Sequence, residues 1–453
     1  MLEKLCNLNL FSNEIKEIKG LEWLDELHKL NLSDNKIVDI QGLDNLKRLK
    51  NLNLSSNEII KIKGLKNLKR LNTLDLSFNL IREIKGLDQL VELEDLNLCK
   101  NKIGNIINLK YNLKLKNLNL SKNENILIEG IKELTHLEAL DLGYTNRKEL
   151  GEEIQLLTNL KELYLRSNEK ISIEGIKNLT NLEVLDWGYT NRKELGEIKN
   201  LDNLKELYLY NNNLISMEGI ENLKKLEILD LSNNEIEKVE NIKGLNNLKS
   251  IDKLKGLDLS YNKIISTEGI EELYNLENLY LRNNHIEEIG NLKKLYNLKV
   301  LDLSHNKITS MNGIENLYKL KVLYLMNNKI YKLCNLNDLL QLEYLILDKN
   351  KISDISKIPV KIKYIDLGRQ EIDLKDYKNT ENKYSLNTSF IKLRGGEDLD
   401  IDYILENGKY DNHTKTIIWE NLSTDKLQFE FNNIEDDWMN FSGIVNICLV
   451  DKI

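Results

Sequence analysis

Apolar residues recur along this chain in one short pattern, LxLxxN, in which leucines alternate with other residues and an asparagine follows. Alternation at every second position places the leucines on one face of a β-strand and the intervening residues on the other. After the asparagine, the segment IxxIxGLxxLxxL spaces its apolar residues by three and four, which predicts a single helical or 3₁₀ turn. Each repeat therefore predicts one short strand, buried on one side, and one short turn.

The asparagine recurs with a period of 22 residues. It occurs fourteen times, at Asn13, Asn35, Asn57, Asn79, Asn101, Asn123, Asn168, Asn212, Asn234, Asn262, Asn284, Asn306, Asn328 and Asn350. Thr145, Thr190 and Gln370 occupy three further slots, which makes seventeen units. Two steps are longer, at 23 residues (145 to 168) and 28 residues (234 to 262), and such insertions map to loops between strands. One unit cannot bury its leucine face alone, so the repetition predicts a stacked solenoid with a continuous core.

The asparagine lies where the chain leaves the strand and turns inward. Its amide can donate to and accept from backbone groups that the turn would otherwise bury unpaired. A hydroxyl has fewer hydrogen-bonding sites, so we expect the units of Thr145 and Thr190 to be locally looser. The segment GYTNRKELGE occurs at 143–152 and again at 188–197, inside a likeness of about 45 residues. We interpret it as part of a duplicated block rather than as a site used twice.

Charge is distributed unevenly along the 453 residues, whose net charge is −8. Residues 371–453 hold 17 acidic and 9 basic side chains, so residues 1–370 are electrically balanced. A nucleic-acid partner needs a basic stripe, and none is expected here. Four of the six phenylalanines also lie in 371–453, and we place a domain boundary near residue 370.

The four cysteines lie in separate repeats or in the C-terminal region. Parallel strands stack at about 4.8 Å, so Cys6 and Cys99, four units apart, would lie roughly 20 Å from each other. A disulfide needs Cα atoms within about 7 Å, so Cys6, Cys99, Cys334 and Cys448 are predicted to be free thiols. The five histidines are equally dispersed, no HExxH or Cys/His cluster occurs, and no metal or cofactor is expected.

Two observations bear on the cellular compartment. The N-terminus, MLEKLCNLNLFSN, enters the first repeat immediately, without a signal peptide. No stretch approaches the roughly 18 apolar residues that a membrane span needs. We therefore expect either a cytosolic protein or a chain that begins after an export signal and an N-terminal cap.

The full pattern resembles the leucine-rich repeat family in its 22-residue class, as in LEILDLSNNEIEKVENIKGL at 226–245 and LKVLDLSHNKITSMNGIENL at 298–317. The resemblance covers residues 1–370. It implies an α/β solenoid, a curved array with a parallel β-sheet on its concave side and short 3₁₀ or helical turns on its convex side. Such arrays typically bind proteins. Two subfamilies use this unit length, intracellular regulators of the SDS22 type and bacterial internalins.

The C-terminal region distinguishes these subfamilies. Short alternating runs, TIIWEN and LQFEFN, predict β-strands, and with the closing FSG segment they resemble the immunoglobulin-like domain that follows the repeats in internalins. The resemblance implies a small β-sandwich over 371–453, acting as spacer and C-terminal cap. The chain departs from internalins in carrying Gly20, Gly42 and Gly64 where those repeats commonly have proline, and in lacking an N-terminal cap, export signal and wall-anchor motif.

The partner-binding residues are predicted on the exposed strand positions, four and two residues before each asparagine slot, and just before it. Tyrosine and arginine are enriched at binding hot spots because they offer large contact area with a polar group. The predicted partner-binding residues are Tyr144, Tyr164, Arg166, Tyr189, Tyr208, Tyr210, Tyr261, Tyr280, Arg282, His305 and Tyr324. LYL is a common filling of this repeat, so Tyr164, Tyr208, Tyr280 and Tyr324 can equally be consensus residues. Asp230 and Asp258 are neighbours in one column, where a solvated acidic face is favoured over catalysis or calcium binding.

Three functional hypotheses follow. The first is a non-catalytic, internalin-like scaffold that binds a folded protein on its concave aromatic face. The alternative is an intracellular SDS22-like regulatory subunit that binds a protein phosphatase. An enzyme is not expected, because the sequence shows no nucleophile–base pair and no phosphate-binding loop.

Overall fold

The computed structural model describes residues 4–172, 174–196, 198, 200–240, 253–290, 292–377, 382–394, 399–435 and 439–450. These residues form two compact units, Met1–Leu214 with Glu218–Leu229, and Ile215–Met217 with Asp230–Ile453. Both are built from stacked turns that each contain one strand, which confirms the predicted parallel-sheet solenoid.

The first unit holds ten three-residue strands among its described residues. They are β1 (Asn7–Asn9), β2 (Lys29–Asn31), β3 (Asn51–Asn53), β4 (Thr73–Asp75), β5 (Asp95–Asn97), β6 (Asn117–Asn119), β7 (Ala139–Asp141), β8 (Glu162–Tyr164), β9 (Val184–Asp186) and β10 (Glu206–Tyr208). Each pairs in parallel with the next, and equivalent residues are partners, as Leu8 with Leu30 and Leu185 with Leu207. From β2 onward the central leucine is buried, which makes the leucines a continuous core.

Strand β11 (Ile228–Asp230) spans the limit between the two units. The second unit continues with β12 (Gly256–Asp258), β13 (Asn278–Tyr280), β14 (Val300–Asp302), β15 (Val322–Tyr324), β16 (Tyr344–Ile346) and β17 (Tyr364–Tyr377). These pair in parallel from β12 to β17 with the same one-unit register. The inserted residues of the 28-residue step, at 241–252, lie outside the described residues.

The turns between strands form short 3₁₀ helices at six places in the described chain, and none of the described residues is α-helical. The 3₁₀ helices are Ile107–Tyr111, Ile131–Glu133, Glu152–Leu156, Glu174–Ile176, Ile220–Asn222 and Ile270–Glu272. Glycine in the IxG motif permits close stacking of these turns. At Gly64, φ is +76° and a Cβ atom would lie 2.4 Å from the carbonyl oxygen of Ile40 in the preceding turn. At Gly64 glycine is therefore required by both backbone conformation and space.

The asparagines form a buried ladder at the ends of the strands. Asn57 Nδ2 donates to the carbonyls of Leu32, Leu54 and Ser55 at 3.0–3.1 Å, and its Oδ1 accepts from Ile37 N at 2.9 Å. Leu32 and Ile37 belong to the preceding turn, so one amide joins two turns. The predicted structural role of the asparagine is confirmed.

The duplicated segment replaces this amide by a threonine and an arginine. Thr145 Oγ1 donates to the carbonyl of Leu142 at 2.7 Å, and Arg147 Nη1 donates to the carbonyl of Ile126, in the preceding turn, at 2.6 Å. The second copy repeats both contacts, from Thr190 to Trp187 and from Arg192 to Ile171. The guanidinium thus provides the link to the preceding turn that the hydroxyl is too short to make.

The C-terminal strands are β18 (Lys383–Asn387), β19 (Ile401–Ile404), β20 (Lys409–Asp411), β21 (Thr416–Glu420), β22 (Lys426–Glu435) and β23 (Met439–Val450). Strand β23 pairs in parallel with β17, and β22 and β19 extend the sheet in antiparallel order. Strands β18, β21 and β20 form a small antiparallel sheet. The strands expected from TIIWEN and LQFEFN are confirmed.

The predicted boundary near residue 370 lies inside β17, which runs without interruption from Tyr364 to Tyr377. Met439 and Phe441 of β23 pair with Ile365 and Leu367 and are buried, so they cover the last turn of the leucine core. The division into 1–370 and 371–453 stays a prediction. All four cysteines are free thiols.

Candidate functional site

In two stretches of the array, acidic residues and tyrosines alternate along the third strand position, on the face of the sheet opposite the leucine core. We call this surface the sheet face. In the first unit Asp141, Tyr164, Asp186 and Tyr208 are successive partners across β7 to β10. In the second unit the successive partners are Asp258, Tyr280, Asp302 and Tyr324. Tyrosines and carboxylates therefore lie about 5 Å apart on neighbouring strands.

A charged network organises the sheet face of the first unit. Arg166 Nη1 lies 3.0 Å from Asp186 Oδ2, and Arg166 Nη2 lies 3.6 Å from Asp141 Oδ2. The Asp186 side chain is only 6% exposed. Burial raises the pKa of Asp141, and the hydrogen bond from Gly143 N opposes that rise. The arginine is therefore fixed between two carboxylates that the protein has largely removed from water.

Tyr210 completes this network and depends on a glycine. Its hydroxyl lies 3.3 Å from Asp186 Oδ2, and burial together with that carboxylate raises the pKa of the phenol. The ring covers Gly188, where a Cβ atom would lie 2.6 Å from Tyr210 Cζ. Tyr189 packs against the same ring edge to face, with centroids 5.5 Å apart and planes at 87°. We call Asp141, Tyr164, Arg166, Asp186 and Tyr210 the Arg166 cluster.

Tyr164 of the Arg166 cluster and Tyr208 are oriented by glutamates on their own strands. The Tyr164 hydroxyl donates to Glu162 at 2.9 Å, and the Tyr208 hydroxyl donates to Glu206 at 2.7 Å. Burial, followed by the Glu162 carboxylate, raises the pKa of Tyr164 to about 12. The Tyr164 phenol is thus protonated at neutral pH. These rings are held in place before any partner binds, which lowers the entropic cost of binding.

Three tyrosines lie in the left-handed region of backbone conformation. Tyr144, Tyr189 and Tyr261 immediately precede an asparagine or threonine slot and have φ of 58°, 52° and 56°. Non-glycine residues other than asparagine and aspartate adopt this conformation at a cost of roughly 1–2 kcal/mol. The three side chains are 41%, 51% and 46% exposed, respectively. Each of the seventeen units has a residue of positive φ at this position, among them Ser12, Lys100 and Asn211, so the left-handed backbone belongs to the repeat and three units display a tyrosine on it.

The predicted residues of the second unit form a different environment. Burial, and then Asp258 and Asp302, raises the pKa of Tyr280. His305 Nδ1 lies 2.8 Å from Asn327 Nδ2. Burial, followed by the nearby Arg282, lowers the pKa of His305. Arg282 Nε and His305 Nε2 are buried atoms that make no hydrogen bond within the described part of the chain.

The structure distributes the eleven predicted residues over both units. Tyr144, Tyr164, Arg166, Tyr189, Tyr208 and Tyr210 belong to the first unit, and Tyr261, Tyr280, Arg282, His305 and Tyr324 to the second. Within the first unit, Arg166 and Tyr210 are brought together around the Asp186 carboxylate, and Tyr189 packs on Tyr210. A single strip running through all eleven stays a prediction.

Sequence reasoning missed the residues on which the first-unit site depends. Asp186 is buried in the column of exposed positions. Its Oδ1 accepts from Gly188 N at 3.2 Å, and its Oδ2 accepts from Arg166 and Tyr210. Arg192 lies 3.7 Å from the ring centroid of the buried Trp187, and burial lowers its pKa to about 10. The sequence does carry one sign of the Tyr210 contact. Residue 188 is glycine where several other repeats have serine, and the missing side chain leaves room for the Tyr210 ring.

Acidic crowding does not create a metal site in the described chain. Asp258 lies in one column with Asp230, and burial is the main cause that raises its pKa. Its Oδ1 accepts from Ser260 N at 2.8 Å, which is a structural contact. No group of three histidine, cysteine or acidic side chains among the described residues could hold a metal ion. Nor does any described helix have the length and apolar character to cross a membrane.

Comparison with known proteins identifies the repeat. Family models match as a leucine-rich repeat region over 89–218, as leucine-rich repeats in two copies over 25–67, 47–89, 202–244 and 252–294, and as a leucine-rich repeat over 275–330. A leucine-rich repeat protein of Leptospira interrogans is 30% identical, with a TM-score of 0.71, covering 78% of this chain and 92% of that one. The chain belongs to the leucine-rich repeat family. Proteins of this family are typically non-catalytic protein-interaction scaffolds.

Two structures from Listeria monocytogenes are also similar to this leucine-rich repeat chain. An internalin, InlF, is 27% identical with a TM-score of 0.56, covering 71% of this chain and 87% of that one. The functional domain of InlJ is 22% identical with a TM-score of 0.63, covering 99% of this chain and 91% of that one, and this likeness concerns the fold alone. No curated protein sequence matches the chain.

Proposed function

We propose that this leucine-rich repeat chain is a non-catalytic, internalin-like scaffold that binds a folded protein through its sheet face. The observation that carries the proposal is the Arg166 cluster together with Tyr189. Aromatic and arginine side chains dominate binding energy at interfaces because they bury large areas and form polar contacts. Here they are held in one arrangement by Asp186, so little conformational freedom is lost on binding.

The strained tyrosines support the same function. Tyr144 and Tyr189 are exposed and have positive φ, whereas Asn211 provides a relaxed residue at the corresponding position of the next turn. An aromatic ring in a left-handed conformation costs stability without adding to the leucine core. A contact with a partner is the role that such a ring fits best. In the second unit we assign the same role to Tyr261, Tyr280, Arg282, His305 and Tyr324.

The test uses substitutions to asparagine, which favours the left-handed conformation. The immobilised chain is exposed to extracts of its source cells and of candidate host cells, and captured proteins are compared with those bound by the Tyr144→Asn/Tyr189→Asn double variant. A partner bound through the sheet face should be captured at least tenfold less by the variant, with an unchanged circular dichroism spectrum. Exposed Lys69→Asn/Lys224→Asn is the matched control. Equal capture by all three proteins would exclude the first-unit sheet face as the site.

The alternative is an intracellular SDS22-like regulator, which the 22-residue unit and four free thiols favour. It predicts a stable complex with a purified protein phosphatase catalytic subunit, measured by analytical ultracentrifugation. The internalin-like function predicts no such complex. We also propose that residues 371–453 form an immunoglobulin-like cap, supported by the antiparallel sheet of β18, β21 and β20.

A further inference from the structure

Exposed apolar side chains recur at one position in five successive turns of the second unit. The position lies ten residues before each asparagine slot. It is occupied by Tyr274, Tyr296, Tyr318, Leu340 and Val360, which are 42%, 53%, 45%, 68% and 78% exposed. We call these five residues the apolar column. A single exposed apolar residue is ordinary, whereas a contiguous exposed patch is typical of an interaction site.

The repeat itself does not require an apolar residue at this position. In the first unit the position is occupied by Asp25, Lys47, Lys69, Val91, Leu113, Thr135, Thr158, Thr180, Asp202 and Lys224. Eight of these ten residues are polar, and the three threonines show that a small polar side chain is compatible with the turn. The apolar column is therefore a property of the second unit and not a demand of the solenoid.

The members of the apolar column lie on hydrogen-bonded turns. Lys321 N donates to the carbonyl of Lys299 at 2.8 Å, and Glu343 N donates to that of Lys321 at 2.9 Å, each three residues beyond a member of the column. Paired turns stack at about 5 Å, so five of them extend over roughly 20 Å. The Tyr318 hydroxyl donates to Asn316 Oδ1 at 2.6 Å, which orients the middle ring before any contact is made.

Charged residues beside the apolar column change sign along the array. They lie two or three residues before each member of the column. From the first turn to the fifth they are Glu271 and Glu272, Lys293 and Lys294, Glu315, Asp338, and Lys357. Lys294 pairs with Glu272 of the preceding turn at 2.9 Å. The other five make no ion pair within the described part of the chain.

We propose that two copies of this chain associate through the apolar column in antiparallel order. A two-fold axis through the middle turn sets the first turn of one copy against the fifth of the other, and the second against the fourth. Glu271 then meets Lys357 of the second copy, and Lys294 meets Asp338, while Tyr318 packs on its own counterpart. The sequence of charges is thus complementary to itself when reversed, and this complementarity selects a second copy as the occupant.

The structure also sets the strength of this association. A contact roughly 20 Å long and one or two side chains wide is smaller than the interfaces of permanent dimers. At the axis Glu315 and Lys319 meet their own counterparts, although each is bonded within its chain, to Gly313 N at 2.7 Å and Asn297 Oδ1 at 2.8 Å. We therefore expect a weak dimer, with a dissociation constant of about 10–100 μM.

The dimer goes beyond the proposed function. The apolar column contains none of the eleven predicted partner-binding residues, so association leaves those residues outside the contact. Each dimer then carries two copies of the sheet face, and a partner with repeated binding sites is held more tightly than by one chain.

Analytical ultracentrifugation of the full chain, between roughly 5 and 500 μM, measures the association directly. The unmodified chain should pass from monomer to dimer over this range. Tyr296→Thr/Leu340→Thr should raise the dissociation constant about tenfold or more, because it removes apolar area from both copies and introduces a residue that the repeat already carries. Val91→Thr/Leu113→Thr is the matched control. These residues are 49% and 50% exposed at the same position of the first unit, and their variant should dimerise as the unmodified chain does.

Charge reversal tests the antiparallel order. Glu271→Lys and Lys357→Glu each place like charges opposite one another, so each should weaken the dimer by roughly threefold or more. The double variant Glu271→Lys/Lys357→Glu restores opposite charges and should regain the original dissociation constant. Glu271 also accepts from Gly269 N at 2.6 Å, so thermal unfolding of the variants checks that the turn is retained.

Four results would overturn the proposal. These are a monomer at every concentration, equal weakening by the column variant and its first-unit control, and a double charge reversal that dimerises no better than the single ones. The fourth is a chain that stays monomeric but co-sediments with phosphatidylserine-containing vesicles only when the apolar column is intact, which would identify a membrane surface as the occupant. Weakening confined to the column variant, with recovery by the double reversal, supports the proposal.

Discussion

The asparagine ladder allows a quantitative prediction for Asn57→Ala. The substitution leaves the buried Ile37 N–H without its acceptor, while the carbonyls of Leu32 and Leu54 each keep a second asparagine donor. One orphaned buried N–H costs about 1–3 kcal/mol, and the weakened carbonyls add roughly 1 kcal/mol. We expect a local loss of about 2–4 kcal/mol. In a solenoid this loss concerns mainly the mutated turn and its neighbours.

Native-state hydrogen exchange with mass spectrometry measures this effect locally. Amides of residues 30–60 should lose protection by roughly 30- to 1,000-fold, whereas peptides of the C-terminal strands should be unaffected. Asn13→Ala is the matched control, because the side chain of exposed Asn13 donates to Leu10 and Phe11 in its own turn. Its effect should stay within about 0.5 kcal/mol. Equal loss of protection in the two variants would refute the view that the ladder stabilises the array by joining turns.

Three further predictions follow. Asp186→Ala should leave the Arg166 charge half-buried and lower the free energy of unfolding by about 2–4 kcal/mol, measured by thermal unfolding, with Asp25→Ala as an exposed control. Gly188→Ala should displace the Tyr210 ring and cost about 1–3 kcal/mol, and an unchanged tyrosine near-ultraviolet spectrum would contradict the packing described. Asp258→Asn should stabilise the chain at pH 7. Burial raises the folded-state pKa of this carboxyl, so its destabilising effect is present at neutral pH and disappears as the pH falls below the unfolded value of 3.8. A constant difference between pH 7 and pH 3 would contradict it.

The period of the sequence was sufficient to predict the solenoid. Seventeen slots predicted seventeen strands, and the structure has β1 to β17 at those places, with leucines buried and the flanking positions on the sheet face. Gln370 shows why the pattern is so informative. It comes twenty residues after Asn350 instead of 22, yet its longer side chain makes the ladder bonds to Leu347, Leu367 and Ile352. A buried side-chain amide therefore bonds to the backbone at this slot even when the spacing between slots changes.

The site was only partly predictable. Tyr189 and Tyr210 could be recognised because they occupy positions where smaller residues suffice. Their edge-to-face contact, and their dependence on Asp186 and Gly188, arise between turns that are 22 residues apart.

The sequence by itself determined the local rule of this protein: which side chain is buried in each strand, where the chain turns, and which slot needs an amide. This information repeats with each unit, so it can be read directly from the amino-acid sequence. The tertiary structure alone decided which exposed side chains become neighbours, because stacking gives each residue new contacts one turn away. It placed Arg166 between two carboxylates and the Tyr210 ring over a glycine. These contacts create the candidate surfaces.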